Sequence, residues 1–373
     1  MKVFQLTTHF SPNIGGVETH LDDLVSALNK RKHKVFVLTY RPLVTKTSWK
    51  SYEKKRNFEI VRLPWLPGFF YKFVSNPIAE FLYLVPGLFL TTPLILFIFR
   101  PDIIHSHGLL AGFVAVFWGK LFGKRVITTT HSIYHFPKEG FYKQFAKFIF
   151  EKSDVALTLS RQSKKEILTL GVNRNKVKVF TYWVDLKKFK PIKNTKVKLG
   201  WKDKFVVLFV GRLVEEKGIL VLLEAAKTWN KNIEFAIIGS GPLESVISKQ
   251  KTIIKNIKFL GKVDNKKLPA YYSAADLVIV PSIHEEGFGR VILESLACGT
   301  PVVAANRGAI PEAMDESVGR LIRITPQNIK KQVEYFYKNP DKLQKLSRSS
   351  REFAENRYSE KNVDTIVGAY DRW

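Results

Sequence analysis

Two glutamates eight residues apart frame the segment of the sequence with the strongest chemical signal. Glu286 lies in a glycine-containing turn after a short apolar strand, and Glu294 lies inside the helix that this turn opens. Carboxylates accept hydrogen bonds from sugar or ribose hydroxyls, and a glycine-rich helix start favours a phosphate. The segment therefore predicts a pocket for a hydroxyl-rich, phosphorylated ligand. A helix-opening turn with solvated acids is the alternative.

Two cations occupy a second glycine-bounded turn. Arg212 and Lys217 follow an apolar strand at residues 205–210, where fixed cations and a helix start can meet a diphosphate. Cleavage of a sugar–diphosphate bond requires stabilisation of the departing negative charge, by a metal ion or by cations. The sequence contains no Asp-x-Asp metal-binding pair, so we expect no metal and no other cofactor. Ordinary surface charges are the alternative interpretation of these two residues.

The elements that must position these side chains form a repeated pattern. Both halves of the chain open with an apolar strand, a glycine turn and an amphipathic helix, at residues 3–28 and 205–226. Further short apolar strands alternate with helical periodicity, which indicates parallel sheets covered on both faces. The predicted fold is α/β, with two doubly wound Rossmann-like domains facing across a cleft. We place the domains at residues 1–187 and 188–355, with a C-terminal helix at 356–373 that crosses back to the first.

Composition limits the class of protein and its partners. The chain has 373 residues, 45% of them hydrophobic and 25% charged, which argues against disorder, collagen and coiled coil. Its one cysteine, Cys298, excludes an intramolecular disulfide and a Cys-based zinc site and is expected to be a packed thiol. The first residues do not match a signal peptide, so we expect a cytoplasmic protein. A net charge of +27 indicates an anionic partner: nucleic acid, a membrane surface or a phosphorylated small molecule.

Residues 81–99 contain nineteen positions without a charge, enough for a membrane span by length. Pro86, Gly87 and Pro93 interrupt this stretch, so we expect an interfacial or partly buried helical hairpin instead. The preceding stretch, residues 49–73, mixes cations with amphipathic aromatic residues, which suits an anionic lipid surface. A core helix followed by a solvated loop is the alternative.

Several motifs, in their order and spacing, resemble those of the family 4 glycosyltransferases of the GT-B fold, which are retaining, nucleotide-sugar-dependent enzymes. In the second half the matching segments are GRLVEEKG (211–218), GSGP (239–242), residues 261–276, the glutamate segment 281–294, ACGTPVV (297–303) and PE (311–312). In the first half they are FSPNIGGVE (10–18), PDIIHSHG (101–108) and TTHS (129–132). The resemblance covers nearly the whole chain apart from about residues 41–99.

The resemblance implies that the second domain binds the nucleotide-sugar donor and the first binds the acceptor. It gives Arg212 and Lys217 the charge-stabilising task of a metal, and it places His131 beside the transferred sugar or the incoming acceptor. It assigns the hydroxyls of the donor sugar to Glu286 and the ribose hydroxyls to Glu294. The other implied donor-binding residues are Gly16, which lets a loop close on the diphosphate, and Gly239, Val263, Phe288, Gly289 and Arg290.

Three residues are candidates for acceptor recognition. His107 ends a strand of the first domain. Tyr182 and Trp183 stand where the family usually has Asn-Gly, which replaces a flexible glycine with a large aromatic residue. We expect this change to alter the shape of the acceptor or donor site.

The sequence thus predicts a glycosyltransferase that moves a sugar from a nucleotide diphosphate donor to a lipid-linked or other saccharide acceptor, with retention of configuration. We expect it to lie peripherally on the anionic inner face of a membrane. A sugar-nucleotide epimerase or phosphorylase of similar fold is one alternative. A nucleic-acid-binding protein is another, although no helix-turn-helix, zinc or RNA-binding signature occurs and we expect no nucleic-acid partner.

Overall fold

The chain folds into two compact α/β units in a computed structural model that describes residues 1–13, 15–43, 47–55, 57–65, 76–250 and 254–371. The first unit contains residues 1–181 and 362–373, and the second contains residues 182–361. Each unit has its own sheet and its own apolar core. This architecture confirms the predicted α/β class with two doubly wound domains.

An eight-stranded sheet forms the centre of the first unit, in the order β3-β4-β2-β1-β5-β6-β7-β8. Only β3 runs antiparallel to its neighbour. The parallel strands are apolar runs because helices cover both faces of the sheet. The strands are β1 (Lys2–Thr7), β2 (Lys34–Tyr40), β3 (Tyr52–Lys55), β4 (Phe58–Leu63), β5 (Ile103–His107), β6 (Arg125–Thr130), β7 (Val155–Thr158) and β8 (Val177–Val179).

Five helices of the first unit connect these strands. They are α1 (Gly16–Lys30), α2 (Pro77–Phe99), α3 (Leu109–Leu121), α4 (Phe141–Lys152) and α5 (Arg161–Leu168), with a 3₁₀ turn at Arg174–Lys176.

The expected hairpin at residues 81–99 is wrong, because α2 is one helix of 23 residues that passes through Pro86 and Pro93. Tyr40 inserts its hydroxyl between two turns of α2, donating to the Leu84 carbonyl and accepting from the Leu88 N–H at 3.1 Å. Side chains that satisfy freed backbone groups allow a helix to continue past a proline.

Two further contacts explain how α2 stays continuous. A Cβ at Gly87 would lie 2.6 Å from the Tyr40 hydroxyl oxygen, so the glycine gives that ring its place. Pro93 removes the N–H that would bond to the Phe89 carbonyl, and the Trp118 indole donates to that carbonyl instead, at 2.9 Å. Among the described residues, α2 is the one helix long and apolar enough to span a membrane, and 39% of its most apolar window is buried.

The second unit is built on a six-stranded, fully parallel sheet in the order β11-β10-β9-β12-β13-β14. The chain reverses its direction across the sheet between β9 and β12, which are neighbours, so loops after these two strands meet at a topological switch point. The strands are β9 (Phe205–Val210), β10 (Ile233–Ile238), β11 (Ile257–Gly261), β12 (Leu277–Val280), β13 (Val302–Ala305) and β14 (Gly319–Ile322).

Eight helices belong to the second unit, and one more ends the chain. They are α6 (Thr195–Lys198), α7 (Ile219–Ala226), α8 (Glu244–Gln250), α9 (Leu268–Ala274), α10 (Arg290–Ala297), α11 (Ile310–Ala313), α12 (Pro326–Lys338), α13 (Pro340–Arg357) and the last helix, α14 (Val363–Tyr370). Helix α14 lies in the first unit, where the Arg125 side chain donates to the Ala369 carbonyl at 3.2 Å.

The boundaries between the units differ from the predicted positions. The second unit begins at Tyr182 rather than at residue 188, because the Val184 N–H donates to the Tyr358 carbonyl, at 3.1 Å, inside that unit. Residues 356–361 also belong to the second unit, where Tyr358 is buried and donates its hydroxyl to the Ala313 carbonyl. The segment that lies with the first unit therefore starts at residue 362 rather than 356.

Candidate active site

The loops after β9 and β10 hold each other through their backbones. The Gly211 N–H donates to Ile238 O at 3.0 Å, and the Leu213 N–H donates to Ser240 O at 2.9 Å. Gly239 has φ +152°, and a Cβ there would lie 1.8 Å from the Gly211 carbonyl oxygen. Glycine is therefore required at 239 for this close approach, which fixes the start of the loop that carries Arg212 and Lys217.

An ion pair joins the cationic loop after β9 to the glutamate loop after β12. Lys217 Nζ lies 2.8 Å from Glu286 Oε1, and both side chains are more than two-thirds buried, with 28% and 15% exposure. The Ile283 N–H also donates to Glu216 O at 3.0 Å. At Gly218, φ is +69° and a Cβ would lie 1.9 Å from the Pro281 carbonyl oxygen, so the loops touch directly. The pair therefore stands at the switch point of the sheet.

Arg212 lies five residues before Lys217 in the same loop and is exposed. Within the described part of the chain, no residue forms a hydrogen bond or an ion pair with its guanidinium. A guanidinium with five uncommitted donors matches the oxygens of a diphosphate. The loop after β9 thus offers one solvent-facing cation and one cation held by a carboxylate.

Glu286 is held by groups from two directions. The Ser282 hydroxyl donates to Glu286 Oε1, and the Ala309 N–H donates to the Glu286 carbonyl at 3.1 Å. A cavity of about 610 Å³ borders this loop on the β13 and β14 side. Its lining residues are Ser282, Ile283, Ala305, Asn306, Arg307, Ile322, Arg323 and Ile324.

Glu294 is buried one helical turn beyond the start of α10. Its two oxygens accept from different partners, Oε2 from the Tyr272 hydroxyl at 2.9 Å and Oε1 from Arg290 Nε at 3.3 Å. Burial raises the pKa of the Glu294 carboxyl, while the Arg290 charge and the Tyr272 hydrogen bond oppose that rise. Gly289, with φ +83°, precedes the helix. A fixed carboxylate near the first turn of α10 can accept hydrogen bonds from ligand hydroxyls.

Three aromatic side chains behind this loop are packed inside the second unit. Phe288, Tyr182 and Trp183 are 4%, 4% and 2% exposed, and the Phe288 ring lies 6.1 Å from that of Tyr182. Phe288 therefore offers a ligand its backbone, as expected. A role of Tyr182 and Trp183 in acceptor recognition stays a prediction. Val263 is half-buried in the loop after β11, and its contact with a donor likewise stays a prediction.

The remaining predicted residues lie in the first unit. Gly16 is exposed at the start of α1, and a Cβ there would meet no atom within 4 Å, so packing does not require a glycine. His107 ends β5 and His131 follows β6, the neighbouring strand. Their rings are joined, with His107 Nδ1 3.0 Å from His131 Nε2. The structure thus brings the two histidines together.

No group of three or more His, Cys, Asp or Glu side chains within the described ranges is placed to hold a metal ion. The absence of a metal requirement stays a prediction.

Two family models together match most of the chain. The model described as Glycosyltransferase Family 4 matches residues 14–188, and the model described as Glycosyl transferases group 1 matches residues 191–353. The chain belongs to this glycosyltransferase family. The enzyme is therefore a glycosyltransferase, and its two α/β units are those of the GT-B fold.

Relatives and solved structures agree with this assignment. The glycosyltransferase is 31% identical to an uncharacterized 41.2 kDa protein in the cps region of Klebsiella pneumoniae, over 72% of this chain and 78% of the relative. It is 26% identical to a phosphatidylinositol N-acetylglucosaminyltransferase of Arabidopsis thaliana, over 90% of this chain and 74% of the relative.

Two solved structures share the fold. Sucrose-phosphate synthase from Thermosynechococcus elongatus superposes with a TM-score of 0.84 at 21% identity, covering 98% of this chain and 97% of the other. The Anabaena protein HepE in complex with UDP-glucose gives a TM-score of 0.74 at 20% identity, covering 99% of this chain and 100% of the other.

Sequence reasoning missed two residues that hold the glutamates of the glycosyltransferase. Ser282 directly precedes the glutamate loop, so its place beside the turn was a usable signal. Tyr272 lies 22 residues before Glu294, on α9, and nothing in its local sequence marks it as a partner of that carboxylate. Only the packing of α9 against α10 reveals it.

Proposed function

We propose that this glycosyltransferase transfers a sugar, with retention of configuration, from a nucleoside diphosphate sugar to a lipid-linked acceptor at an anionic membrane surface. The observation that carries the donor half is the Lys217–Glu286 ion pair at the switch point, next to the uncommitted Arg212. A cation and a carboxylate that hold each other here are poised to separate onto a phosphate and a sugar.

The donor would be bound by an exchange of partners. The diphosphate takes Lys217 away from Glu286 and adds Arg212, so that two positive charges face the negative charge that develops on the leaving group. The released Glu286 carboxylate then accepts from hydroxyls of the donor sugar, and Glu294 accepts from the ribose hydroxyls. Backbone N–H groups at the start of α10 add further donors to the phosphates. The UDP-glucose complex of the structural neighbour HepE supports this donor class.

The first unit would contribute His131 to the sugar or the acceptor. This ring is 9% exposed at the end of β6, and burial lowers its pKa to about 3. The neutral imidazole therefore serves as a hydrogen-bonding group rather than as a proton carrier. His107 contacts this ring and contributes to its position.

The acceptor half rests on an apolar stripe along α2. Every fourth residue of the helix is an exposed side chain, and this stripe is apolar throughout. Leu90 and Leu94, which are 75% and 56% exposed, lie near its centre. An exposed apolar stripe of this size marks an interaction site rather than ordinary surface. Its members are Ile78, Leu82, Pro86, Leu90, Leu94 and Ile98.

Helices α3 and α4 extend this apolar surface. The ring of Phe89, on α2, lies 4.9 Å from that of Phe117 on α3, whose side chain is 44% exposed. On α4, Phe141 is 74% exposed beside Lys143 and Lys147. Exposed aromatic and aliphatic side chains flanked by lysines, on a chain of net charge +27, complement an anionic phospholipid surface. The basic stretch 49–73 adds no observation at residues 56 and 66–73, which lie outside the described residues.

The relatives point in the same direction. The Arabidopsis relative carries phosphatidylinositol, a membrane lipid, in its name. A sugar acceptor fixed in a membrane explains why the enzyme would keep an apolar stripe exposed. Analysis of the products formed from nucleotide sugars and polar lipids tests the reaction as a whole.

The double variant Leu90→Asp with Leu94→Asp is expected to lose binding to phosphatidylglycerol vesicles by roughly 100-fold. Each buried leucine contributes about 1.5 kcal/mol or more, so two of them correspond to about two orders of magnitude. Co-sedimentation at low salt measures this loss, and added salt should weaken binding of the unaltered protein.

The matched control places two aspartates on the second unit, at Val197 and Val246, which are 57% and 37% exposed. This control should bind vesicles nearly as well as the unaltered enzyme. Equal binding by the α2 variant, or no binding of the unaltered enzyme to anionic vesicles, would remove the membrane half of the proposal.

A further inference from the structure

A buried row of polar side chains crosses three neighbouring strands of the first unit. Gln5 on β1 is opposite His105 on β5, and His107, two residues along β5, is opposite Thr129 on β6. All four residues are at most 4% exposed. Because paired residues of parallel strands share a face of the sheet, these side chains lie side by side in the core of the unit.

Hydrogen bonds connect His131 to this row through His107 and Gln5. His131 Nε2 lies 3.0 Å from His107 Nδ1, and His107 Nε2 lies 2.6 Å from Gln5 Oε1. The Gln5 amide donates from Nε2 to the Tyr370 hydroxyl at 3.3 Å. The last helix of the chain thus holds the amide that holds the histidines.

The other branch of the row ends on Thr129. The Tyr370 hydroxyl lies 2.8 Å from His105 Nδ1, and His105 Nε2 lies 2.6 Å from Thr129 Oγ1. This branch leads away from His131, so it shares burial and chemistry with the first branch but not its end point.

All three histidines of the row are neutral at physiological pH. Burial lowers the pKa of His131 and of His105 to about 3, and burial together with the neighbouring histidines lowers that of His107 further. A neutral imidazole carries one N–H and one acceptor nitrogen, so a single fixed partner decides the tautomer of each ring.

The Gln5 amide is that fixed partner. Its carbonyl oxygen only accepts, so His107 must carry its proton on Nε2 and leave Nδ1 as an acceptor. His107 Nδ1 then accepts from His131, which therefore carries its proton on Nε2. On the other side of the amide, Nε2 donates to Tyr370, whose O–H donates to His105. Every hydrogen bond in the row has one donor and one acceptor in this arrangement.

We infer that Gln5 is a positioning residue that, through His107, fixes His131 as its Nε2–H tautomer with Nδ1 as the acceptor atom of the ring. The inference rests on the proposed function in so far as His131 meets the sugar or the acceptor. It predicts that this ring recognises a ligand hydroxyl by accepting its hydrogen bond and not by donating one.

The tautomer is measured directly by ¹⁵N NMR of the histidine-labelled full-length enzyme, with the His131 signals assigned by their loss in His131→Ala. In the unaltered protein His131 is expected as the Nε2–H tautomer. Gln5→Met keeps the volume of the side chain but removes the amide, so His131 is expected to become a mixture of both tautomers. Detection of His131 as Nδ1–H in the unaltered protein, which is what the reversed Gln5 amide would impose, would overturn the inference.

Thr129→Val is the matched control, because it also removes one buried hydrogen bond from the row but acts on the branch that leads away from His131. It should leave the His131 tautomer unchanged. An unchanged His131 tautomer in Gln5→Met, with the fold intact by circular dichroism, would also overturn the inference.

The kinetic readout separates this inference from the proposed function. Gln5→Met is expected to lower kcat for transfer about tenfold and to leave the affinity for nucleoside diphosphate unchanged, since that ligand is assigned to the second unit. If the enzyme transferred no sugar from any nucleotide donor, the proposed function would fail while the NMR result still decided the tautomer. If transfer occurred but Gln5→Met behaved like Thr129→Val in both measurements, only the positioning role would fail.

Discussion

Arg212→Ala is expected to lower kcat/KM for sugar transfer by about 10²–10³-fold. The guanidinium meets no protein partner in the loop after β9, so its charge is available for the diphosphate that leaves. Removal of one preorganised group that stabilises developing negative charge typically costs this much. Initial rates of nucleoside diphosphate release, at donor concentrations below KM, measure the effect.

Two control variants define the origin of this loss. Arg212→Lys keeps the charge but not the planar fork, so its rate should fall between those of the unaltered enzyme and Arg212→Ala. Arg348→Ala removes an exposed arginine from α13 in the same unit and should leave the rate unchanged. Activity of Arg212→Ala within twofold of the unaltered enzyme would show that the cationic loop does not bind the leaving group.

Glu294→Gln is expected to weaken binding of a nucleoside diphosphate by about 10- to 100-fold. The glutamine keeps the shape of the side chain and an acceptor for Tyr272, but it loses the charge that strengthens hydrogen bonds from ribose hydroxyls. Calorimetric titration measures the affinity. Glu294→Ala is a poor substitute, because removal of a buried carboxylate beside Arg290 is itself expected to destabilise the fold by about 3–5 kcal/mol.

A ligand lacking the ribose hydroxyls shows whether Glu294 acts on them. With the 2′,3′-dideoxynucleoside diphosphate, Glu294→Gln and the unaltered enzyme should bind with similar affinity, because the hydroxyls that distinguish them are absent. Glu334→Gln, an exposed carboxylate on α12 that pairs with Lys330, serves as the control and should bind both ligands normally. An equal loss of affinity for both ligands in Glu294→Gln would argue that Glu294 acts only on the local fold.

Much of the fold could be predicted because its signal is local. Strands buried on both faces of a parallel sheet are short apolar runs, and β9 and β12 were predicted at their observed bounds, Phe205–Val210 and Leu277–Val280. The continuity of α2 could not be predicted in this way. It depends on the Tyr40 hydroxyl, which comes from a strand more than forty residues earlier and bonds to Leu84 and Leu88.

The candidate site shows the same division. Arg212, Lys217, Glu286 and Glu294 stand in turns and helix starts whose sequence marks them, and the Lys217–Glu286 contact follows from the meeting of two loops at a switch point. Their partners are not marked. The Gln5–Tyr370 hydrogen bond joins residues 365 positions apart, and only the return of the last helix to the first unit brings them together.

The central claim is tested most directly by mass spectrometry of the products formed from a panel of nucleotide sugars and a total polar lipid extract, in the presence of EDTA. The unaltered enzyme is expected to add one sugar unit to a lipid and to release one nucleoside diphosphate per transfer, and Arg212→Ala is expected to do neither at a comparable rate. Transfer only to soluble saccharides would contradict the lipid acceptor. Silence of the unaltered enzyme with every donor in EDTA, followed by transfer once a divalent cation is added, would contradict the assignment of charge stabilisation to Arg212 and Lys217 alone.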